Sequence, residues 1–339
     1  MKTKFAEISP LANKNILLIC PIFFGYEKSI ENALVELGAN VCHISDRPYK
    51  NQLLRALTNK FLVIAQFITE YFYYRRRLKD FAKTEFDYVF VINGQTCSSR
   101  LIRSLRSSQS KARFLLYFWD SVKNRPDSLK LAKCFDEVFT FDPVDSRKYD
   151  WILRPLFFTP DYSLPKREGP YKYGLSFIAT AHTDRFSIAN KVFKQLGSGV
   201  GVFKYFYLQA RWVYFAYKLL NNHMSGSCLG DFNFNPLDKA KIKEVFDHSL
   251  CILDIEHPKQ SGLTIRTFEA LGAAKKLITT NHSIKDCDFY NDQNIHVVDR
   301  ACPRIPDNFL KTTYIAIPEV LYNKYSIYGW IEEIFSRPY

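Results

Sequence analysis

Short β-rich apolar runs alternate with helical and polar stretches along this chain, and that alternation constrains the fold most strongly. Residues 15–20 form a compact apolar run, apolar side chains recur at helical spacing between positions 30 and 37, and residues 40–45 form a second run. This strand–helix–strand order is typical of a parallel sheet covered by helices. We therefore predict an α/β protein with open, doubly wound sheets.

The alternation occurs in both halves of the chain, which are separated by a proline-rich stretch. Further strands are predicted at residues 87–93, 113–119, 137–142, 174–180, 248–256, 275–281 and 294–299. Residues 154–173 contain Pro155, Pro160, Pro165 and Pro170, a composition typical of a linker. Because 339 residues exceed what one hydrophobic core usually supports, two α/β domains are predicted.

Composition indicates which partners the protein binds and in which cellular compartment it folds. The formal net charge of +13 favours anionic partners, namely nucleic acid, phosphate-bearing ligands or an acidic membrane surface. The eight cysteines form no C-x-x-C pair, which is typical of free thiols in a reducing compartment and not of a disulfide framework. No apolar run is long enough to span a bilayer. We predict a cytoplasmic protein that can lie peripherally on a membrane.

Several ligand-binding signatures are missing from the sequence. It contains neither a Walker A motif nor a G-x-G-x-x-G fingerprint, which argues against P-loop nucleotidases and NAD enzymes. No cysteine and histidine cluster has metal-ligand spacing. The D-x-D triplet at residues 286–288 lies in a polar connection, and we interpret it as structural. The sequence therefore predicts neither a metal ion nor a cofactor.

Ligands of open α/β sheets bind beyond the carboxyl ends of the strands, and in the second half this rule selects the loop at residues 179–185. His182 lies in this loop, and Arg185 follows it at the predicted start of a helix. An arginine in that position can bind a diphosphate bidentately. The alternative is that Arg185 is an ordinary surface charge.

The same rule selects residues 254–264, which follow another predicted strand. Alternation places Asp254 and Glu256 on one face of the strand end. They could form a catalytic pair or accept hydrogen bonds from sugar hydroxyls, or they could be solvated acids without a ligand. His257 follows directly, and a lone loop histidine is usually a surface residue.

The next stretch, QSGLTIRTFEALGAAKKLITTN at residues 260–281, combines small residues with a helix and a strand. Ser261 can cap the helix, and Gly262 permits a ligand to approach the backbone closely. The N–H groups from Gly262 to Thr264 would then suit a phosphate. A turn of small residues before a helix is also common without any ligand.

Arg266 and Glu269 lie one helical turn apart in that stretch. The simpler interpretation is an exposed ion pair worth about 0.2–0.5 kcal/mol. Both charges oppose the helix dipole, because Arg266 is near its positive end and Glu269 lies toward its negative end. This favours a ligand role for at least one of the two residues. With the family resemblance described below, we predict that both face a ligand in the cleft and not each other.

The first half offers one acidic candidate and one amphipathic stretch. Asp120, in the sequence WDS after a predicted strand, is a candidate general base, although an N-cap or Asx-turn role is common for such a residue. Residues 52–81 form an amphipathic stretch that ends in a basic cluster, Arg75 to Arg77. This stretch could lie on an anionic membrane or form a core helix with a solvated basic end. The basic aromatic run FKYFYLQARWVYFAYK raises the same two options.

Taken with the E-A-L-G sequence at residues 269–272, the two-lobed pattern resembles GT-B glycosyltransferases. In many of them a helix of the C-terminal lobe carries a glutamate that contacts the donor nucleotide or sugar, and Glu269 would fill that place. The chain is more specifically similar to bacterial capsule, O-antigen and lipopolysaccharide biosynthesis proteins over nearly its full length. This resemblance is carried by FFGYEKSI, WDS, FDPVDSRKY, PLFF, FIATAHTDRFSI, LDIEHPKQSGLTIRTFEALGAAKKLITTN and DFYNDQNIHVVDR.

The resemblance implies two Rossmann-like domains facing a cleft, with a nucleotide-sugar donor in the second and a glycan or lipid-linked acceptor at the first. Domain one would comprise residues 1–160 together with a returning helix at 317–339, and domain two would comprise residues 171–316. The E-x7-E motif of some GT-B families is not present, because Ser261 occupies its first position. Candidate donor-binding residues are His182, Arg185, Asp254, Glu256, His257, Lys259, Gln260, Ser261, Gly262, Leu263, Thr264, Arg266 and Glu269, and candidate catalytic residues are Asp120 and Glu269.

The predicted reaction is metal-independent transfer of a sugar from a nucleotide-diphosphate donor, with cationic side chains and helix N–H groups stabilising the leaving diphosphate. The expected partners are the nucleotide sugar, the acceptor and an anionic inner-leaflet membrane surface, and no nucleic acid is expected. Three alternatives remain open. They are a nucleotide-sugar epimerase of similar fold, a basic nucleic-acid-binding protein, and a noncatalytic membrane-associated protein.

Overall fold

The computed structural model describes residues 9–46, 62–163, 170–197, 199–220 and 224–336. The chain divides into two compact units. Unit 1 comprises Met1–Pro155 and Ile327–Tyr339, and unit 2 comprises Leu156–Ser326. Residues 52–61 of the predicted amphipathic stretch lie outside the described residues.

Unit 1 contains a six-stranded sheet in the order β2-β1-β3-β4-β5-β6, with every neighbouring pair parallel. Side chains of the central strands are buried on both faces, which explains their continuous apolar sequences. The strands are β1 (Asn15–Cys20), β2 (Asn40–Ser45), β3 (Tyr88–Ile92), β4 (Arg113–Phe118), β5 (Glu137–Thr140) and β6 (Ile152–Leu153).

Two helices of unit 1, Ser99–Ser108 (α4) and Pro143–Tyr149 (α6), begin at capping residues. Ser98 caps α4, where its hydroxyl accepts from the Leu101 N–H at 2.9 Å. Asp142 caps α6, Pro143 occupies its first turn, and Asp150 ends it in the left-handed conformation. The helices are α1 (Tyr26–Glu36), α2 (Leu62–Thr69), which continues through a π-helical turn (Glu70–Tyr74) into α3 (Arg75–Lys79), α4 (Ser99–Ser108), α5 (Ser128–Ala132) and α6 (Pro143–Tyr149).

Unit 2 repeats the architecture with a second parallel sheet in the order β12-β11-β10-β7-β8-β9. Its strands are β7 (Tyr173–Thr180), β8 (Val202–Tyr207), β9 (Phe232–Asn233), β10 (Ser249–Asp254), β11 (Lys276–Thr279) and β12 (Ile295–Val297). Its helices are α7 (Arg185–Phe193), α8 (Arg211–Leu220), α9 (Lys239–Asp247), α10 (Ile265–Gly272) and α11 (Glu319–Lys324). The last helix of the chain, α12 (Ile327–Phe335), belongs to unit 1.

Each unit has a hydrophobic core of its own, one built on the first sheet and one on the second. The structure confirms the prediction of two α/β domains with parallel sheets. No described helix is sufficiently long and apolar to cross a bilayer. All eight cysteines are free thiols.

Candidate functional site

The topological switch point of unit 2 lies between β7 and β10, because chain order runs outward from these two strands in both directions. Ligands of open α/β sheets bind beyond the carboxyl ends of the strands at such a point. His182 lies in the loop after β7, and His257 lies in the loop after β10. Their ring centroids are 5.7 Å apart, so the structure brings the two candidate loops together.

Arg185, the first residue of α7, connects these loops through three bonds to neutral acceptors. Its Nε donates to the Ile255 carbonyl at 2.7 Å, and its Nη1 donates to the Thr180 carbonyl at 3.3 Å. Nη1 also lies 3.0 Å from Nε2 of His182. Burial lowers the pKa of the guanidinium, and the nearby carboxylates of Asp254 and Glu256 act against this shift. A guanidinium stays protonated at neutral pH, so a cation is held at the switch point.

His182 is a neutral imidazole in this arrangement. Burial lowers its pKa to about 3, and the positive charge of Arg185 and the neighbouring His257 contribute to the shift. A neutral ring can accept the Arg185 N–H at Nε2, whereas a protonated ring could not. His257 likewise accepts at Nδ1, where the Lys259 backbone N–H donates at 3.2 Å.

Asp254, at the end of β10, is buried and bonded inside the protein. Its Oδ2 accepts from the hydroxyls of Thr264 at 2.7 Å and Thr267 at 2.9 Å. Burial raises its pKa, and the two threonine bonds oppose that shift. The carboxylate therefore fixes the start of α10, and the predicted alternative of a solvated acid does not apply to it.

Glu256 is also buried, and it is paired with Arg300, a residue that the sequence reasoning missed. Arg300 Nη2 lies 2.9 Å from Glu256 Oε1, and its Nη1 lies 2.7 Å from Asp184 Oδ2. The Thr280 hydroxyl also donates to Glu256. Although burial opposes it, these carboxylates raise the pKa of the Arg300 guanidinium. Arg300 follows β12 in the sequence VVDR, so the carboxyl-end rule applied to that strand would have selected it.

The loop before α10 is ordered by bonds to its own carbonyls. Gln260 Nε2 donates to the Gly262 carbonyl at 2.9 Å, and Asn281 Nδ2 lies 3.2 Å from the carbonyls of both Ser261 and Gly262. Gly262 and Leu263 are buried, whereas Lys259 is exposed. The carbonyl groups of Ser261 and Gly262 therefore point toward Asn281, two residues after the end of β11.

The helix cap differs from the prediction. Ser261 was expected to cap the helix, but α10 begins at Ile265 and Thr264 is its N-cap. The Thr264 hydroxyl accepts from the Arg266 N–H at 3.1 Å and donates to Asp254. The cap lies three residues later because only Thr264 can satisfy the helix end and the buried Asp254 together.

The prediction that Arg266 and Glu269 avoid each other is wrong. Arg266 Nη1 lies 2.6 Å from Glu269 Oε2, and its guanidinium lies 5.1 Å from the ring centroid of Phe246. Glu269 is only 1% exposed. Burial and the Glu269 carboxylate raise the pKa of Tyr162, whose hydroxyl interacts with both charged groups. Removal from water explains the pairing, because a buried carboxylate requires a charged or hydrogen-bonding partner, and this outweighs the unfavourable helix dipole.

In unit 1, the loops that follow β1, β3 and β4 also meet at the carboxyl edge of their sheet. The rings of Phe23, after β1, and Trp119, after β4, have centroids 5.9 Å apart. The backbone N–H of Trp119 donates to Oδ1 of Asn93 at 3.2 Å, and Asn93 follows β3. Asp120 is next in the chain and is partly buried. It therefore lies next to the switch point between β1 and β3.

Asp46, directly after β2, organises the same edge and was missed from the sequence. Its carboxylate accepts from the backbone N–H groups of Gln95 at 2.7 Å and Thr96 at 2.8 Å. The residue is fully buried. It fixes the loop after β3, just as Asp254 fixes the start of α10 in unit 2.

Within the described part of the chain, the last aspartate of the D-x-D triplet is bonded to two other side chains of the protein. Asp288 accepts from Lys324 at 2.7 Å and from the Tyr325 hydroxyl at 2.6 Å. No group of three or more histidine, cysteine or acidic side chains among the described residues could hold a metal ion.

Unit 2 also has a large cavity away from the switch point. Its volume is about 1110 Å³, and it lies where α9 and α10 end and β10 and β11 begin. The wall includes Tyr162, Phe246, Lys275, Tyr314 and Tyr322. None of the loops that contain His182, Arg185 and His257 contributes to it.

Two solved structures share the fold of the whole chain. HepE from Anabaena, in complex with UDP and glucose, aligns with a TM-score of 0.55 at 10% identity over 96% of this chain and 100% of that chain. The catalytic domain of starch synthase IV from Arabidopsis thaliana, bound to ADP and acarbose, aligns with a TM-score of 0.53 at 10% identity over 96% of each chain. The fold is GT-B. No protein-family profile and no curated sequence matches the chain.

Proposed function

We propose that this protein is a glycosyltransferase that moves a sugar from a nucleotide-diphosphate donor to a glycan or lipid-linked glycan in cell-surface polysaccharide biosynthesis. The GT-B fold supports the general class. At 10% identity the two solved relatives support the fold alone. The assignment of the donor site therefore depends on the residues of this chain.

One observation carries the proposal, namely a partly buried cation at the switch point whose hydrogen bonds go to neutral groups. Arg185 donates to two carbonyls and an imidazole, while the nearest carboxylates are bonded elsewhere, Asp254 to threonines and Glu256 to Arg300. Burial lowers the pKa of the Arg185 guanidinium even though the carboxylates of Asp254 and Glu256 act against the shift, so its charge is incompletely compensated. A diphosphate at this place would complete the compensation.

In the proposed mechanism, Arg185 neutralises charge that develops on the leaving diphosphate as the glycosidic bond breaks. Lys259 is exposed in the neighbouring loop and would add a second positive charge. The N–H groups near Thr264, at the start of α10, would bind phosphate oxygens. His182 keeps the Arg185 guanidinium oriented because its neutral Nε2 accepts a hydrogen bond.

The proposed roles of Arg266 and Glu269 follow from their contact. Glu269 is bonded to Arg266 and almost fully buried, so we assign the pair to holding α10 beside the donor. Asp120 is our candidate for the base that activates the acceptor hydroxyl, and a base is required only if the reaction inverts the anomeric centre. We propose that the reaction needs no metal ion and that these side chains replace it.

We further propose that the protein acts on the cytoplasmic side of a membrane, where a lipid-linked acceptor would be accessible. In unit 1 the continuous helix from α2 to α3 exposes Phe67 and Phe72, followed by exposed Arg75 and Arg76. Aromatic residues followed by basic ones favour the surface of an anionic bilayer. Free cysteines are consistent with a reducing compartment.

A thermal-shift screen of nucleotides and nucleotide sugars tests the proposal, followed by transfer assays with the stabilising donor. Ligand at about a hundredfold excess over its dissociation constant stabilises a protein by about 2.7 kcal/mol. We expect Arg185→Gln to weaken donor binding by about ten- to a hundredfold, because it removes charged hydrogen bonds worth about 1.5–3 kcal/mol.

Lys194→Gln is the matched control, because it removes one positive charge from the exposed end of the same helix. It should bind donor normally. The donor site is misplaced if both variants bind equally well. Conversion of the donor into its epimeric nucleotide sugar, without any acceptor, would replace the transferase proposal with an epimerase.

A further inference from the structure

We infer that α8 of unit 2 docks on an anionic lipid surface, through a face defined by Trp212, Phe215, Leu219 and Leu220. These side chains are 68%, 60%, 86% and 82% exposed, respectively. They recur at helical spacing of three, four and one residues, so they lie along one side of the helix. We call this side the α8 face.

The opposite side of α8 anchors the helix to unit 2. Val213 and Tyr214 are buried in the core, where the Tyr214 ring packs 5.2 Å from that of Phe232. The Tyr214 hydroxyl donates to the Ser227 carbonyl at 3.0 Å. The helix is therefore fixed in orientation, and the α8 face is presented to solvent by a rigid element.

Four large apolar side chains on one exposed face are unusual, because single exposed apolar residues are common but contiguous ones mark interaction sites. Val320, by comparison, is 79% exposed on α11 without such a row of neighbours on its helix. The α8 face thus has the apolar side of an interfacial helix, with tryptophan, phenylalanine and leucine together.

Charge identifies the partner as an anionic bilayer. Arg211 and Lys218, near the two ends of α8, are both exposed, and the helix contains no acidic residue. The Lys218 amine is bonded on the anchored side of the helix, to the Tyr214 hydroxyl at 3.0 Å and the Ser227 carbonyl at 3.1 Å, so its charge lies at the flank of the α8 face. Basic residues beside a membrane-facing apolar side attract anionic headgroups, and the net charge of +13 acts in the same direction.

This inference goes beyond the proposed sugar transfer, because vesicle binding by α8 requires neither a donor nor catalysis. It also differs from the proposal for unit 1, whose membrane-facing residues lie on the helix that contains Phe67 and Phe72. Each surface can be tested separately in the full-length protein.

The primary experiment is co-sedimentation of the full-length protein with vesicles of roughly one-third phosphatidylglycerol and two-thirds phosphatidylcholine. Leu219→Ser combined with Leu220→Ser should reduce the partition coefficient at least about tenfold, since each leucine loses apolar burial. Val320→Ser is the matched control and should bind as the unchanged protein does. Both positions are exposed, so the melting temperature should not change.

Fluorescence locates the contact on α8. Vesicles that contain brominated phosphatidylcholine should quench the emission of the protein, because Trp212 enters the interface. Trp212→Phe, which keeps an apolar ring, should bind vesicles and lose most of this quenching. Unchanged quenching in that variant would assign the contact to another tryptophan and overturn the inference.

Other outcomes also decide against the α8 face. Normal vesicle binding by the double serine variant, with binding lost in Phe67→Ser combined with Phe72→Ser, would assign the membrane contact to unit 1 alone. Equal binding to pure phosphatidylcholine vesicles would remove the charge argument. Self-association in the absence of lipid that the double serine variant abolishes would identify a second copy of the chain as the occupant.

Discussion

Arg185 and Arg300 lie at the carboxyl edge of the same sheet, but their guanidinium groups have different hydrogen-bond partners. Arg300 is matched by the carboxylates of Asp184 and Glu256. Arg185 is bonded to two carbonyls and a neutral histidine. The first arrangement is internally compensated and connects the loops, whereas the second leaves a positive charge available to a ligand.

The low pKa of His182 in the folded protein should make the protein less stable in mild acid. Its pKa is about 3 when folded, below the usual value of 6.5, so between these values the unfolded chain binds more protons. Stability is therefore lost as pH falls through about 6.5, by on the order of 2 kcal/mol at pH 5. Urea unfolding between pH 7 and pH 5 measures this loss.

His182→Asn removes the titrating group and should flatten that part of the stability profile. His248→Asn, outside the switch-point loops, is the control and should keep the slope of the unchanged protein. If the His182 variant loses stability as steeply as the control, His182 is not a neutral ring in the folded protein.

At the scale of elements, most strands were predictable, and β6, β8 and β9 were not. Continuous apolar runs gave β1, β3, β4 and β10 within two residues at each end, because buried parallel strands need apolar side chains on both faces. The strand β8 and the helix α8 were predicted as one basic aromatic run. Only residues 208–210 separate them, without a glycine or proline to mark the boundary.

The loops of the candidate site were predictable because they follow strands that could be recognised from the sequence, but the hydrogen bonds within these loops were not. The carboxyl-end rule selected the loops containing His182 and His257, which the structure brings into contact. Sequence spacing could not show that Asp254 is bonded to two threonines or that Glu256 meets Arg300, 44 residues later. Those partners depend on how neighbouring strands align, which the order of residues does not reveal.

The cap of α10 gives a test at this scale. Thr264→Ala should destabilise the protein by about 1–2 kcal/mol, since it removes the cap and one hydroxyl donor to buried Asp254. Thr264→Ser should restore most of the loss. Ser261→Ala, at the position predicted from sequence to cap this helix, should cost less than Thr264→Ala in the same chemical denaturation experiment. A larger effect at Ser261 would contradict the observed helix start.

At the scale of the whole molecule, each unit is built around its own sheet and core. The last helix completes unit 1, because Ile327, Trp330, Ile331 and Ile334 lie on one buried side of α12. The Trp330 ring packs 4.8 Å from the Tyr117 ring and 5.9 Å from the Phe90 ring. The end of the chain therefore stabilises the unit in which the chain begins, whereas the proposed donor site belongs to unit 2.

Separate cores predict that a core defect and a donor should act on different unfolding transitions in calorimetry. Trp330→Ala should lower the free energy of unfolding of unit 1 by about 3–5 kcal/mol, and the temperature of its transition with it. Phe177→Ala, in the core of unit 2, should lower the free energy of unfolding and the transition temperature of unit 2 to a similar extent. A stabilising nucleotide should raise only the transition that Phe177→Ala lowers, because ligand stabilises the unit that binds it. If both substitutions and the nucleotide shift a single transition equally, the two units unfold as one and their independence is disproved.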